Sequence, residues 1–178
     1  MARDSEAVAR ELLAVRCRRG DRAALEELVR TFEGRLFYFL RGLVRDEADA
    51  WDVLQKTWLR VLAGIGALDE PGRLVPWLYR IARNAALSHA RRAAEPIELP
   101  ADLAGPEPDT DEFEDTEAVH RGLLKLSVPH REVLTLFFLE EMGVEEIAAV
   151  LGVPPGTVKS RLHYARLALR KVLDGGTP

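Results

Sequence analysis

The stretch Gly152–Leu173, GVPPGTVKSRLHYARLALRKVL, decides how the chain is read. Two prolines and a glycine stand ahead of a run in which Val158, Leu162, Ala165, Leu169 and Val172 recur at helical spacing. Lys159, Arg161, Arg166, Arg170 and Lys171 share this tail with a single acid, Asp174. Such a helix is either a solvated amphipathic helix or one that docks on phosphates. The preceding segment, VEEIAAVLG, has the same periodicity, and the intervening LGVPPG has the length and the glycine of a helix-turn-helix link. Ile147, Val150 and Leu151 would then close a small core with Val158 and Leu162. Thr157, Lys159, Ser160, Arg161 and His163 fall near the N-terminal end of the recognition helix, where that motif reaches base edges. The same pattern also suits a helical pair in a protein-interaction domain. If three of the five cations met phosphates, the salt slope would be about −3, which leaves one small module weakly bound at cellular ionic strength. A second DNA-contacting domain, or a larger protein holding both, must supply the remaining affinity through effective concentration.

Upstream of this pair, TEAVHRGLLKL and PHREVLTLFFLEE read as two more helices, so residues 118–178 form a four-helix domain. Residues 93–117 differ in kind, with ten Asp and Glu, four prolines and neither Lys nor Arg. Such a composition breaks helices and cannot build a core, which predicts an acidic flexible linker. Residues 1–92 hold 17 Lys and Arg against 13 Asp and Glu and again show helical periodicity. The expected elements are a helix capped by Ser5 and running to about Arg18, and a second, capped by Asp21, burying Leu25, Leu28, Phe32, Leu36, Phe39 and Leu43. A third opens near Asp46 and turns Trp51, Leu54, Trp58, Val61 and Leu62 inward, leaving Asp52, Gln55 and Lys56 outside with Asp52 and Lys56 at pairing distance. Gly64–Val75 reads as a loop. Pro76 starts a fourth helix with Trp77, Leu78, Ile81, Ala85 and Leu87 inward and Arg80, Arg83, Asn84, Arg91 and Arg92 elsewhere. The fold class is therefore all-α: two small helical domains, each of four helices, joined by the acidic linker.

With 178 residues, 47% of them hydrophobic, the chain can bury a core in each domain. No window approaches the apolar length of a membrane span, and MARDSEAVAR lacks the core of a signal peptide, so the expected compartment is the cytoplasm. Cys17 is alone and reads as a buried small apolar residue; the four histidines show no metal-ligand spacing, so neither a metal nor another cofactor is expected. There is no GxxxxGK[ST], HExxH or GxSxG, and the chain is not expected to be an enzyme.

Three separated motifs in order, DAWDVLQKTWLRVL, WLYRIARN and LSVPHREVLTLFFLEEMGVEEIAAVLGVPPGTVKSRLHYARLALRKVL, resemble the two domains of extracytoplasmic-function (ECF) sigma factors of the sigma-70 family, from about Ala7 to Leu173. The resemblance implies a promoter-specificity subunit whose partners are core RNA polymerase, promoter DNA and an anti-sigma factor that occupies both domains. It implies that Asp52, Gln55 and Lys56 meet the clamp helices of the β′ subunit. It makes Gly64–Val75 similar to the loop that captures a flipped −10 base, with Asn84 in the pocket and Arg73, Arg80 and Arg83 at adjacent phosphates; a pocket that hydrogen-bonds the base offsets its unstacking. The −35 element would be read through Thr157, Lys159, Ser160, Arg161, His163 and Arg166, with Arg161 the candidate for a base and Lys159 for a phosphate, the alternative being that each contacts phosphate alone. The acidic connector resembles the family's linker toward the polymerase active-centre cleft. Three departures stand out. Lys56 replaces an acid, Val144 replaces the Ser or Thr ahead of EEIA and so removes an N-cap worth about 1 kcal/mol, and the −10 loop lacks the usual aromatic. The readings set against this one are a stand-alone helix-turn-helix regulator on a palindromic operator and a sigma-like adaptor that sequesters a partner protein.

Overall fold

The computed structural model describes residues 2–94 and 122–173, and all regular structure among them is helical. Of the connector read as 93–117, Ala93 and Ala94 continue the helix before it; the rest of it and most of the segment read as the helix TEAVHRGLLKL lie outside the described residues, and only the turn at residues 122–124 of that helix is described. The chain divides into two compact units, the first made of the residues up to His89 together with Ala149–Leu151 and the second of the remainder.

In the first unit α1 (Ala2–Arg18) contains Ser5 within its span, so the expected cap at Ser5 is not one. The turn that follows needs a left-handed residue, supplied by Gly20 at φ +76°. Asp21 then caps α2 (Arg22–Arg41) by accepting the Ala24 N–H at 3.2 Å. Arg16 bonds Asp21 at 2.9 Å and Glu27 at 3.0 Å, fastening the end of α1 to the start of α2. The Ala24 amide first, and then the Arg16 guanidinium, hold the Asp21 carboxyl below its ordinary value. Its share of stability is therefore complete above the ordinary carboxylate range and lost as pH falls through the depressed value. Cys17 is buried, as expected, and burial pushes its thiol up.

Asp46 caps α3 (Glu47–Gly64), accepting the Asp49 N–H at 2.8 Å. This helix buries Ala50, Val53, Leu54, Thr57 and Val61, a narrower stripe than the one expected. Trp51 and Leu62 stand 45% and 46% exposed, a correction to the inward face. The reason is size: α2 packs on small and branched residues, and the indole is displaced to the flank, where it stacks on Phe37 at 4.2 Å. Gly64–Val75 is not a free loop. Two 3₁₀ turns, Ile65–Ala67 and Pro71–Arg73, pack against α1, and Ile65 and Leu68 are buried. The next helix, α4 (Leu74–Ala94), opens before Pro76, which sits in its first turn. It buries Leu74, Val75, Leu78, Tyr79, Ala82, Ala85 and Ala86, while Trp77 is only half-buried and Leu87 is exposed.

In the second unit α5 (Val128–Leu134) widens into a π-helical turn at Thr135–Leu139, so PHREVLTLFFLEE is not one uniform helix. Arg131 of α5 donates to the carbonyls of Leu123, Leu124 and Leu126 at 3.1, 3.0 and 2.9 Å. It thereby gathers acceptors at the end of the preceding helical turn, where the Leu123 carbonyl also takes the Leu126 N–H at 2.9 Å. The N-cap of α6 (Val144–Leu151) is Gly143, with Val144 already inside the helix, so the absence of a side-chain cap belongs to Gly143. Glu146 makes up part of the loss by accepting the Gly143 N–H at 2.8 Å. Gly152 ends α6 in the left-handed region at φ +66°, its N–H bonded to the Ala148 carbonyl at 2.9 Å. Helix α7 (Pro155–Leu173) starts with proline at N1, packs on α5 and buries Val158, Leu162, Ala165 and Val172. Ile147, Val150 and Leu151 are buried as well.

The turn between α6 and α7 yields a direct prediction. A Cβ on Gly152 would meet nothing within 4 Å, so its replacement is penalised by the backbone alone. Gly152→Ala is expected to destabilise this unit by about 1 kcal/mol and Gly152→Asn by less, because only glycine and asparagine tolerate the left-handed region readily. Hydrogen exchange of the α6 and α7 amides measures both.

Candidate polymerase and nucleic-acid interfaces

The outer side of α3 carries the first candidate site. Gln55 is exposed, and Asp52 and Lys56, each partly exposed, form the ion pair expected of their spacing. Asp52 has a second neighbour that the sequence did not announce: His89 Nδ1, from α4, lies 3.5 Å from its Oδ2. The other ring nitrogen, Nε2, is 2.9 Å from Asp49 Oδ1, and Arg45 approaches Asp49 at 3.9 Å. Beside these charges runs an exposed line formed by Trp51, Gln55, Leu59 and Leu62, one helical turn apart at each step. Leu59 is 69% exposed, and Leu62 closes an open groove of about 690 Å³ whose other walls are Arg22, Leu25, Glu26, Val29 and Arg30 of α2. Assigning Trp51 and Leu62 to the core hid this line. The pattern that marks it is an apolar or neutral residue at 51, 55, 59 and 62, offset from the smaller residues at 50, 53, 54, 57 and 61.

The second site lies on α4. Arg80, Asn84, Leu87 and Arg91 share one exposed stripe on the side away from Leu78, Ala82 and Ala85. Arg83 is half-buried on the flank of that stripe, and Arg73 sits in the second 3₁₀ turn, its Nε 2.8 Å from Glu70 Oε2. The structure thus brings Arg80 and Asn84 together, adds Arg91 to them, and leaves Arg73 tied to an acid.

The third site is α7. At about 100° per residue, Ser160 stands opposite the buried line of Val158, Leu162 and Ala165, with Thr157 and His163 to its two sides. The Ser160 hydroxyl donates to the Gly156 carbonyl at 3.1 Å, which leaves its lone pairs facing outward. Lys159 and Arg161 occupy opposite flanks, Lys159 in line with His163, Arg166 and Arg170, and Arg161 half-buried on the other side. Arg166 lies over the rings of Phe137 and Phe138 at 5.2 and 5.3 Å, so it joins α7 to the π-helical turn.

Comparison with known proteins agrees with this arrangement of two units. Residues 28–95 match Sigma-70 region 2, and residues 116–169 match Sigma-70, region 4. The ECF RNA polymerase sigma factor SigM of Mycobacterium tuberculosis is 35% identical over 164 residues, spanning 92% of this chain and 83% of that protein. The chain belongs to the ECF sigma factors. Among solved structures, CnrH in complex with the cytosolic domain of CnrY is similar to this sigma factor with a TM-score of 0.68 and 27% identity, covering 94% of this chain and 98% of that one. RpoE of Bartonella quintana, solved with the anti-sigma factor NepR, shares the fold with a TM-score of 0.68 at 24% identity, over 84% of this chain and 96% of its own. Among the described residues of this sigma factor no helix is long and apolar enough to cross a membrane, and no cluster of His, Cys, Asp and Glu is placed to hold a metal ion.

Proposed function

We propose that this sigma factor, working in the cytoplasm, brings core RNA polymerase to its promoters through three divided surfaces and catalyses nothing itself. The outer side of α3, with Asp52, Gln55 and Lys56 and the exposed line from Trp51 to Leu62, takes the clamp helices of the β′ subunit. Asn84 and Arg80, with Arg83 and Arg73 at neighbouring phosphates, take the −10 strand. The N-terminal half of α7 takes the −35 element. The observation that carries the reading is common to all three: on α3, α4 and α7 the polar residues expected from the sequence lie outside the buried stripe, Arg83 and Arg161 on its flanks. Within α7 the proposed roles divide. Ser160 and Thr157 face the groove floor, while Lys159 and Arg161 reach the phosphates of its two walls. An anti-sigma factor fits the same scheme as a competitor for these faces, because a partner covering them blocks polymerase and promoter at once.

The test is run-off transcription with purified chain, core polymerase and a library of promoter fragments. Transcripts that need both the chain and core polymerase are expected. Tight binding to a palindromic site without polymerase would replace this reading with that of a stand-alone regulator, and neither result with that of an adaptor.

A further inference from the structure

We propose that His89 is a positioning residue: it ties α4 to α3 and holds the Asp52 carboxylate in the orientation from which it meets core polymerase. The inference rests on the polymerase reading of Asp52 given above. His89 follows Arg80 by nine positions, about half a turn around the helix at 100° per residue. It therefore faces α3 while Arg80 and Asn84 face outward. Among the described residues its contacts place these charged groups around the ring: Asp49 and Asp52 directly, Arg45 behind Asp49, and Lys56 behind Asp52. His89 and Asp49 are 20% and 21% exposed, so the 2.9 Å contact is sheltered and anchors the imidazole. That anchored ring then presents Nδ1 toward Asp52.

Without His89, Asp52 would keep only Lys56, an i,i+4 neighbour on the same helix. Two exposed, flexible side chains of that kind hold each other weakly. A ring from a second helix restricts the carboxylate before any partner arrives, and a side chain ordered in advance spares the complex that entropy. The same contact gives α4, which carries the −10 residues, a direct mechanical link to the polymerase-binding helix.

The experiment is a double-mutant cycle on the equilibrium affinity of the full chain for core polymerase. His89→Ala is expected to weaken binding roughly 3- to 10-fold, the loss of one pre-ordered side chain. Added to Asp52→Ala it should cost nothing further, because the residue it positions is gone. Two conservative variants separate positioning from bracing. In His89→Asn the amide nitrogen takes the place of Nδ1 without the Asp49 anchor and should restore affinity in part; in His89→Gln it takes the place of Nε2, keeps the Asp49 contact and should behave like alanine. Equal losses in both Asp52 backgrounds, or rescue by glutamine rather than asparagine, would show a structural brace and overturn the proposal. If Asp52→Ala weakens binding and His89→Ala does not, the proposal fails and the polymerase reading stands. If the chain binds core polymerase but Asp52→Ala changes nothing, the assignment of Asp52 falls and this proposal with it. Failure of the native chain to bind core polymerase at all rejects the functional reading itself.

Discussion

Arg131→Ala is expected to lower the stability of the second unit by about 3 kcal/mol and to abolish promoter-dependent transcription at growth temperature. The guanidinium donates to three backbone carbonyls within four residues, those of Leu123, Leu124 and Leu126. Burial takes water from it and pulls its pKa down from the ordinary value, yet those carbonyls compensate its charge. Each hydrogen bond to a charged donor contributes about 1.5 to 3 kcal/mol, and a shared donor gives less than the sum. Alanine takes this donor from the carbonyls of Leu124 and Leu126 and leaves that of Leu123 with the Leu126 N–H. A unit of this size has only a few kcal/mol of stability to lose. Arg131→Lys keeps the charge but not the fork that reaches three acceptors, so it should recover less than half of the loss. Hydrogen exchange at α5 and α7 measures the stability, and pull-down of core polymerase checks that the first unit still binds. A destabilisation under about 1 kcal/mol would show that the carbonyls find water instead.

The sequence displayed the helices more fully than their faces. The cap at Asp21, the helix opening near Asp46, proline at the start of α7 and glycine at the end of α6 are local signals, each with a steric or electrostatic cause, and the structure carries all of them. Which residues of α3 turn inward is not a local question. Trp51 and Leu62 have the hydrophobicity of core residues, but the distance at which α2 packs is set by Ala50 and Val53, and bulky side chains then go to the rim. Trp77 likewise stays half-buried while Tyr79 and Ala82 are buried in the core. Among the candidate site residues the charges were legible because charges are excluded from cores. Their neighbours were not: His89 reaches Asp49 and Asp52 across 40 and 37 positions of sequence, which no periodicity reports. The π-helical turn at Thr135–Leu139, which puts Phe137 and Phe138 under Arg166, was hidden for the same reason.

Lys159→Ala combined with Arg161→Ala is expected to reduce affinity for −35 DNA on the order of 30-fold at 0.15 M salt, and to reduce it evenly across promoter sequences. The sequence left Arg161 between a base contact, which a guanidinium can make bidentately to guanine, and a phosphate contact. Its position favours the phosphate. Arg161 and Lys159 stand on opposite flanks of α7, each about 100° from Ser160, and a helix in the major groove turns its flanks toward the two phosphate backbones. Two released counterions each contribute about 0.9 to the slope of log affinity against log salt, so the double variant should flatten that slope by roughly 1.8. Ser160→Ala should do the opposite: leave the slope unchanged and relax discrimination at one base position by a few-fold. Filter binding of holoenzyme to a −35 library at several salt concentrations reads both quantities together. If Arg161→Ala alone erases preference at a single base and leaves the slope intact, Arg161 reads a base and the flank assignment is wrong. If the slope falls by about 0.9 for each cation removed while the ranking of sequences persists, α7 enters the groove with Ser160 at its centre.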